Sequence, residues 1–436
     1  MSRVVVIGAG AVGLAAAREA RLRGHEVVVI ERGAAVRDGV SFGNAGIVVP
    51  SHFVPLAAPG VVATALRWMA DPRSPLYLAP RPSPDLAAWG VRFVRAANAA
   101  RAARAEPALL ALNLAGRRLH EEWADALGRE RVGFRASGLW MLCRTEPGLE
   151  AEARIAERAR TLGLRAEIVG RDAVRAAEPG AAPDVVGAVR FPDDAQLDPG
   201  AWMYAMQEEL AGDPGADLRF GLDAVALLRR RSDGARGISP VEAVAVRRAG
   251  DPGAPLETVT CDHLVLAGGA WSVPLARDLD LRILLEPGKG YALTLPKGVP
   301  SLRTPAILVE ARASASRVRD GFRIGGTMEF AGFDPVVRPQ RVEGIRAAAR
   351  AYFPHLDDAV VDGAAPWSGF RPVSPDGLPY LGPAPRAPNA VVAAGHAMMG
   401  FSAAPISGRL AGQWIDGEPT ELDATAFDPA RHTWRR

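Results

Sequence analysis

The chain has 436 residues, too many for one hydrophobic core, so two domains are the starting expectation. A net charge of +3 is far too small to mark a nucleic-acid binder, and 48% hydrophobic with 23% charged residues is the balance of a globular chain. Two distant cysteines, Cys143 and Cys261, make no disulfide framework, and the seven histidines lack HxxxH or HExxH spacing, which argues against a metal centre.

In chain order, a β-branched run over 4–7 leads into Gly8, Gly10 and Gly13. An Ala- and Leu-rich helix follows and ends at Gly24, and the strand over 27–30 ends at Glu31. The glycines break the apolar start, and no apolar run approaches the roughly 20 residues of a membrane span. The expected location is therefore the cytoplasm, at most peripheral at the inner face of the membrane.

Residues 50–84 are rich in Pro and Gly. Leu112, Leu119, Trp123 and Leu127 then make one apolar helical face. From 218 to 269 the pattern alternates with period two, with turns at Asp233-Gly234 and Asp251-Pro252-Gly253, and runs into a strand over 264–266. Strands are expected over 291–295, 306–309 and 322–324, a helix over 342–352, a strand over 390–394 and a last helix over 404–414. Both ends read as βα units with sheet-rich sequence between. The fold class is therefore α/β, with a nucleotide-binding domain (1–50, 150–275, 365–436) and a second domain inserted into it (51–149, 276–364).

The first turn has a physical reading. Gly8 permits the tight exit from the strand, Gly10 lets a pyrophosphate approach the backbone, and Gly13 lets the helix pack close to the sheet. The helix N-terminus offers free N–H groups to phosphate. Glu31 is placed to accept both ribose hydroxyls and disfavours a 2′-phosphate, and hence NADP. This turn alone does not separate FAD from NAD. Two further Gly-rich turns, Gly268-Gly269-Ala270-Trp271 and Gly395-His396-Ala397-Met398-Met399-Gly400-Phe401, each follow a strand. A single simple nicotinamide domain has no need of the last.

The ordered set Gly8 to Gly13, Glu31, Gly43-Asn44-Ala45-Gly46, Lys289-Gly290-Tyr291, Gly369-Phe370-Arg371-Pro372 with Pro375-Asp376-Gly377, and Gly395-His396 with Gly400 resembles the D-amino acid oxidase/dehydrogenase family of flavoproteins. The resemblance covers essentially the whole chain. It is strongest to the small, FAD-bearing subunit of bacterial D-amino acid dehydrogenase, and residues 43–60 are similar to a branch that breaks down D-hydroxyproline. It implies a Rossmann-type, glutathione-reductase-like FAD domain and an inserted antiparallel substrate domain. It also implies non-covalent FAD, since no cysteine follows Cys261 to tether the flavin.

The expected cofactor contacts are Gly8, Ala9, Gly10, Ala11, Val12 and Gly13; Glu31 and Arg32; Gly43, Asn44, Ala45, Gly46 and Ile47; and Val225. Ala267, Gly268, Gly269 and Trp271 complete them, with His396, Met398, Met399, Gly400, Phe401 and Ser402. Only Lys289 and Lys297 among the 52 basic residues are lysines, so composition singles out no arginine. Arg371 is singled out by its motif, whose family counterpart holds the substrate carboxylate. Tyr291 either donates to that carboxylate or packs in a sheet. His52 either meets the substrate amine or ring, or is a satisfied loop histidine. Met398 stands where glycine oxidase carries a second arginine, which lowers glycine as substrate. Met398, Met399 and Phe401 suggest an apolar wall.

The implied reaction is hydride transfer from Cα of a D-amino or D-imino acid, with electrons passed to a quinone or another acceptor, with or without partner subunits. An oxidase of the same family, a non-catalytic flavin subunit and an NAD enzyme remain as alternatives.

Overall fold

The computed structural model describes the chain except residues 37–38, 70, 72, 231–236 and 434–436. The expected turn at Asp233-Gly234 lies outside the described residues. The β-branched run Arg3–Ile7 is buried on both faces, as a central parallel strand must be. It pairs in parallel with Glu26–Glu31 on one side and His263–Leu266 on the other. The six-stranded sheet is completed by Ala216–Phe220 beside Glu26–Glu31, and by Ala387–Ala394 with its antiparallel edge Tyr380–Ala384.

One face of this sheet is covered by the helices Ala11–Leu22, Pro199–Ala211 and Ala404–Asp416 and by the long helix Ala99–Leu127, in one continuous apolar core. The other face carries the meander Leu222–Arg229, Val241–Arg248 and Glu257–Thr260. The alternating stretch from 218 thus divides. Its first strand joins the parallel sheet at Glu26–Glu31, because its side chains pack against the helical core.

The second sheet has nine strands. Pro366–Val373, Glu286–Leu295, Gly321–Phe330 and Ala313–Val318 form its antiparallel half. Ala306–Leu308, Leu139–Cys143, Gly187–Phe191 and Glu167–Gly170 continue it, and Leu76–Leu78 adds to Gly321–Phe330. Helix Pro339–Tyr352 packs on its outer face.

The expected domain boundaries need correction. Residues 167–191 and 366–373 lie in this second sheet, because their backbones pair with Leu139–Cys143 and Glu286–Leu295. The helix Ala99–Leu127 packs instead on the six-stranded sheet's side through Leu109, Leu112, Leu119 and Trp123. No helix of the described residues is long and apolar enough to cross a membrane.

Candidate active site

The dinucleotide turn is built as the glycines demand. Gly8 has a φ of 102°, and a Cβ on Gly13 would fall 1.8 Å from the carbonyl oxygen of Gly8. The N–H groups of Ala9 and Gly33 each donate to the Glu31 carboxylate at 2.7 Å, which fixes the acid beside the turn. The side chains of Ala9 and Ala11 are buried, so only their backbones face outward. Helix Ala11–Leu22 has no side-chain cap and no acid in its first turn. Its Ala11 N–H instead donates to Ser41 Oγ at 3.0 Å, which sets a hydroxyl beside the turn.

Just beyond Glu31, the Arg32 guanidinium lies 5.0 Å over the Trp271 ring and 3.6 Å from Asp223. Trp271 follows the Ala267-Gly268-Gly269 turn and stacks on Phe333 with centroids 4.7 Å apart. Val225 sits at a bulge in the meander, unpaired between Ala224 and Ala226, with its side chain exposed.

The second sheet grips the 43–46 loop. Arg323 donates to the carbonyls of Phe42 (3.1 Å) and Asn44 (2.7 Å), and Ser316 Oγ donates to Ala45 O at 2.8 Å. Asn44 closes the loop on itself by accepting from Gly46 N–H at 2.7 Å. Trp367 packs flat against Gly43, where a Cβ would lie 2.1 Å from the indole. Ile47 continues into a short strand paired with Gln196. Ser402 Oγ accepts from Val49 N–H at 3.1 Å and so joins this loop to the C-terminal turn.

Arg371 lies on the inner face of Pro366–Val373, beside Gly290 and opposite the 43–46 loop. Its Nη1 donates to Thr327 O at 2.7 Å. Thr327 has a φ of 68°, rare for a β-branched residue, so backbone strain is held where this carbonyl meets the guanidinium. Among the described residues no carboxylate pairs with Arg371, and burial pushes its pKa down to about 10. Such a cation is poised for an incoming anion.

Residues 3–414 match the family model described as DAO, FAD dependent oxidoreductase. The chain belongs to this family. It is 34% identical over 447 residues to a D-amino acid dehydrogenase of Cereibacter sphaeroides, covering 99% of this chain and 95% of that one. It is 32% identical over 444 residues to D-amino acid dehydrogenase 2 of Ralstonia nicotianae, covering 98% and 100%. Its fold matches glycine oxidase from Geobacillus kaustophilus (TM-score 0.74, 23% identity, 99% and 100% covered) and L-proline dehydrogenase from P. horikoshii (TM-score 0.71, 19% identity, 99% and 97% covered).

The DAO-family cofactor is FAD, and these residues fit it. The bare glycine turn would suit its phosphates, and the Glu31 carboxylate fixed beside that turn would suit its ribose. Several expected side-chain roles are corrected. Tyr291 lies on the outer face of Glu286–Leu295, away from Arg371, because successive strand residues face opposite ways. Its hydroxyl donates to Glu329 Oε2 at 2.7 Å, next to the fully buried Lys289–Glu329 ion pair. Phe401 is no part of an apolar wall; it packs in the helical core against His120 and Trp202. His396 is buried with Nε2 on Ser407 Oγ at 2.9 Å, so only its backbone faces the turn. Met398 is exposed, and Met399 packs beside the group containing Ile47 and Val49.

His52 is half-buried, with Nδ1 3.0 Å from Ser51 Oγ, and burial lowers its pKa to about 4. Ser51 donates on to the wholly buried Asp194 at 2.5 Å through Oγ and at 3.1 Å through N–H. Burial raises the Asp194 carboxyl to about 8. Sequence reading missed Ser41, Ser51, Asp194, Arg323 and Thr327. Apart from the nearness of Ser41 and Ser51 to motifs, nothing local marks them.

Proposed function

We propose that the protein oxidises a D-amino or D-imino acid, of the D-proline, cis-4-hydroxy-D-proline or D-alanine type, as a dehydrogenase. The observation that carries this reading is Arg371, a half-buried cation that meets no carboxylate among the described residues, held by Thr327 across from the 43–46 loop. FAD, when bound, supplies the acceptor for the hydride that leaves Cα. Gly8 to Gly13, with Ser41, hold the pyrophosphate and Glu31 holds the ribose. Arg32, Val225 and Trp271 lie about the adenine, and backbone from 43–47 and 396–402 lies about the ring. Arg371 takes the substrate carboxylate in a two-pronged ion pair and so aims Cα at the ring. His52, backed by Ser51 and Asp194, lies beside the amine. Trp367 and Met399 exclude water from the reacting carbon. The electrons pass to a quinone met at the inner face of the membrane. Names of relatives 32–34% identical over nearly the full chain support the substrate class.

Anaerobic mixing with D-proline, cis-4-hydroxy-D-proline and D-alanine tests the reading. Bleaching of the flavin absorbance by at least one of them is expected, with L-enantiomers inert. No bleaching by any D-substrate refutes it. Rapid oxygen consumption in place of dye or quinone reduction would make the protein an oxidase.

A further inference from the structure

One part of the chain is used by neither the cofactor nor the clamp. From 60 to 104 it carries seven arginines against two acids, Asp71 and Asp85, a net +5 in a protein whose total is only +3. The two helices in this stretch also present apolar side chains to solvent. Helix Val61–Trp68 has no buried residue, and Leu66 is 65% exposed beside Arg67, with Met69 43% exposed just beyond its end. Helix Pro84–Ala96 buries Trp89 but turns Val91 and Val94 outward, 52% and 57% exposed, beside Arg95.

The helices flank one edge. Val61–Trp68 packs beside the strand Leu76–Leu78, and Trp89 lies 5.0 Å from Phe330, the register partner of Leu78. Trp89 Nε1 also donates to Val373 O at 2.9 Å, two residues beyond Arg371. Single exposed apolar residues are ordinary. Two helices set against the paired strands Leu76–Leu78 and Gly321–Phe330, with outward apolar residues and arginines beside them, are the pattern of a surface that lies in a lipid interface. The cations match this as well, since among the described residues neither Arg67 nor Arg95 meets a carboxylate. Their long stems can lie along acyl chains while the guanidinium groups reach anionic headgroups.

We propose that the helices Val61–Trp68 and Pro84–Ala96 dock the protein on a bilayer that bears anionic lipid. The inference deepens the reading above and rests on it only for the acceptor, a quinone dissolved in that bilayer. Docking by these helices sets the strand that carries Arg371 beside the membrane.

The test is co-sedimentation of the FAD-loaded protein with vesicles of phosphatidylcholine alone or mixed with phosphatidylglycerol. The wild type is expected to pellet with the mixed vesicles, less so in high salt, and to stay in the supernatant with phosphatidylcholine. The double variant Leu66→Glu with Val91→Glu is expected to lose vesicle binding while keeping its flavin and its rate with a soluble dye. A wild type that never pellets overturns the proposal, as does a variant that binds as well as wild type. If the wild type is a dimer that the variant splits, the face belongs to a second copy and the proposal also falls. Vesicle binding is read without substrate, so a failed D-amino acid assay overturns the dehydrogenase reading alone.

Discussion

Gly290→Ala should disarm Arg371 without touching it. Gly290 faces the Arg371 side chain across the strand pair, and its φ is one that any residue adopts, so the effect is steric. A Cβ there would lie 2.0 Å from Nη1 and 2.3 Å from both Cζ and Nη2. Ordinary van der Waals contact needs about 3.5 Å. The guanidinium must therefore move by about 1.5 Å, which breaks its 2.7 Å bond to Thr327 O and turns its donors off the carboxylate. Loss of one charge-assisted hydrogen bond costs about 1.5–3 kcal/mol. At about 1.4 kcal/mol per decade, substrate binding should weaken roughly 10- to 150-fold. The assay is anaerobic titration of the flavin with D-alanine or D-proline, giving Kd and the limiting rate separately. FAD content should be unchanged. Gly363→Ala, where a Cβ meets nothing within 4 Å, is the control. A Gly290→Ala protein that holds FAD and binds substrate as the wild type does would refute the placement of Arg371 in the substrate site.

Arg371→Ala should raise KM by more than Gly290→Ala while FAD stays bound, since the cation is removed outright; an unchanged KM takes Arg371 out of the site. His120 is fully buried with Nε2 on Phe401 O at 2.9 Å, and its pKa is lowered to about 4, first by burial. A folded pKa below the unfolded value gives stability that is present above about pH 6.5 and lost as pH falls through 4, about 3 kcal/mol in all. Urea unfolding of His120→Gln across that window should show a shallower acid loss than wild type. Asp194 has the opposite sign. Burial raises its folded pKa to about 8, so its contribution is lost as pH rises through 8. Thermal melts should therefore favour Asp194→Asn increasingly over wild type as pH rises from about 4 to about 8, with no further change above that.

The family and its cofactor were legible because the cofactor turns are local. Gly8, Gly10 and Gly13 act through backbone that three neighbouring residues define, and Glu31 follows at the end of the next strand. Arg371 stood out among fifty arginines only through its motif, and in the structure its guanidinium donates to Thr327 O.

What remained hidden depends on strand faces and long-range pairing. Gly290 and Tyr291 are adjacent in sequence, yet one touches Arg371 and the other is buried behind the sheet with Glu329. Phe401 and His396 sit in a cofactor motif, but packing against His120 and Ser407 turns their side chains away from it. Arg323 reaches a loop 279 residues earlier, and Ser51 meets Asp194 across 143 residues. Sequence by itself determined which backbone turns can hold a dinucleotide, because glycine conformation is a local property. Only the tertiary structure decided which side chains come together, because that depends on the register between strands far apart in the chain.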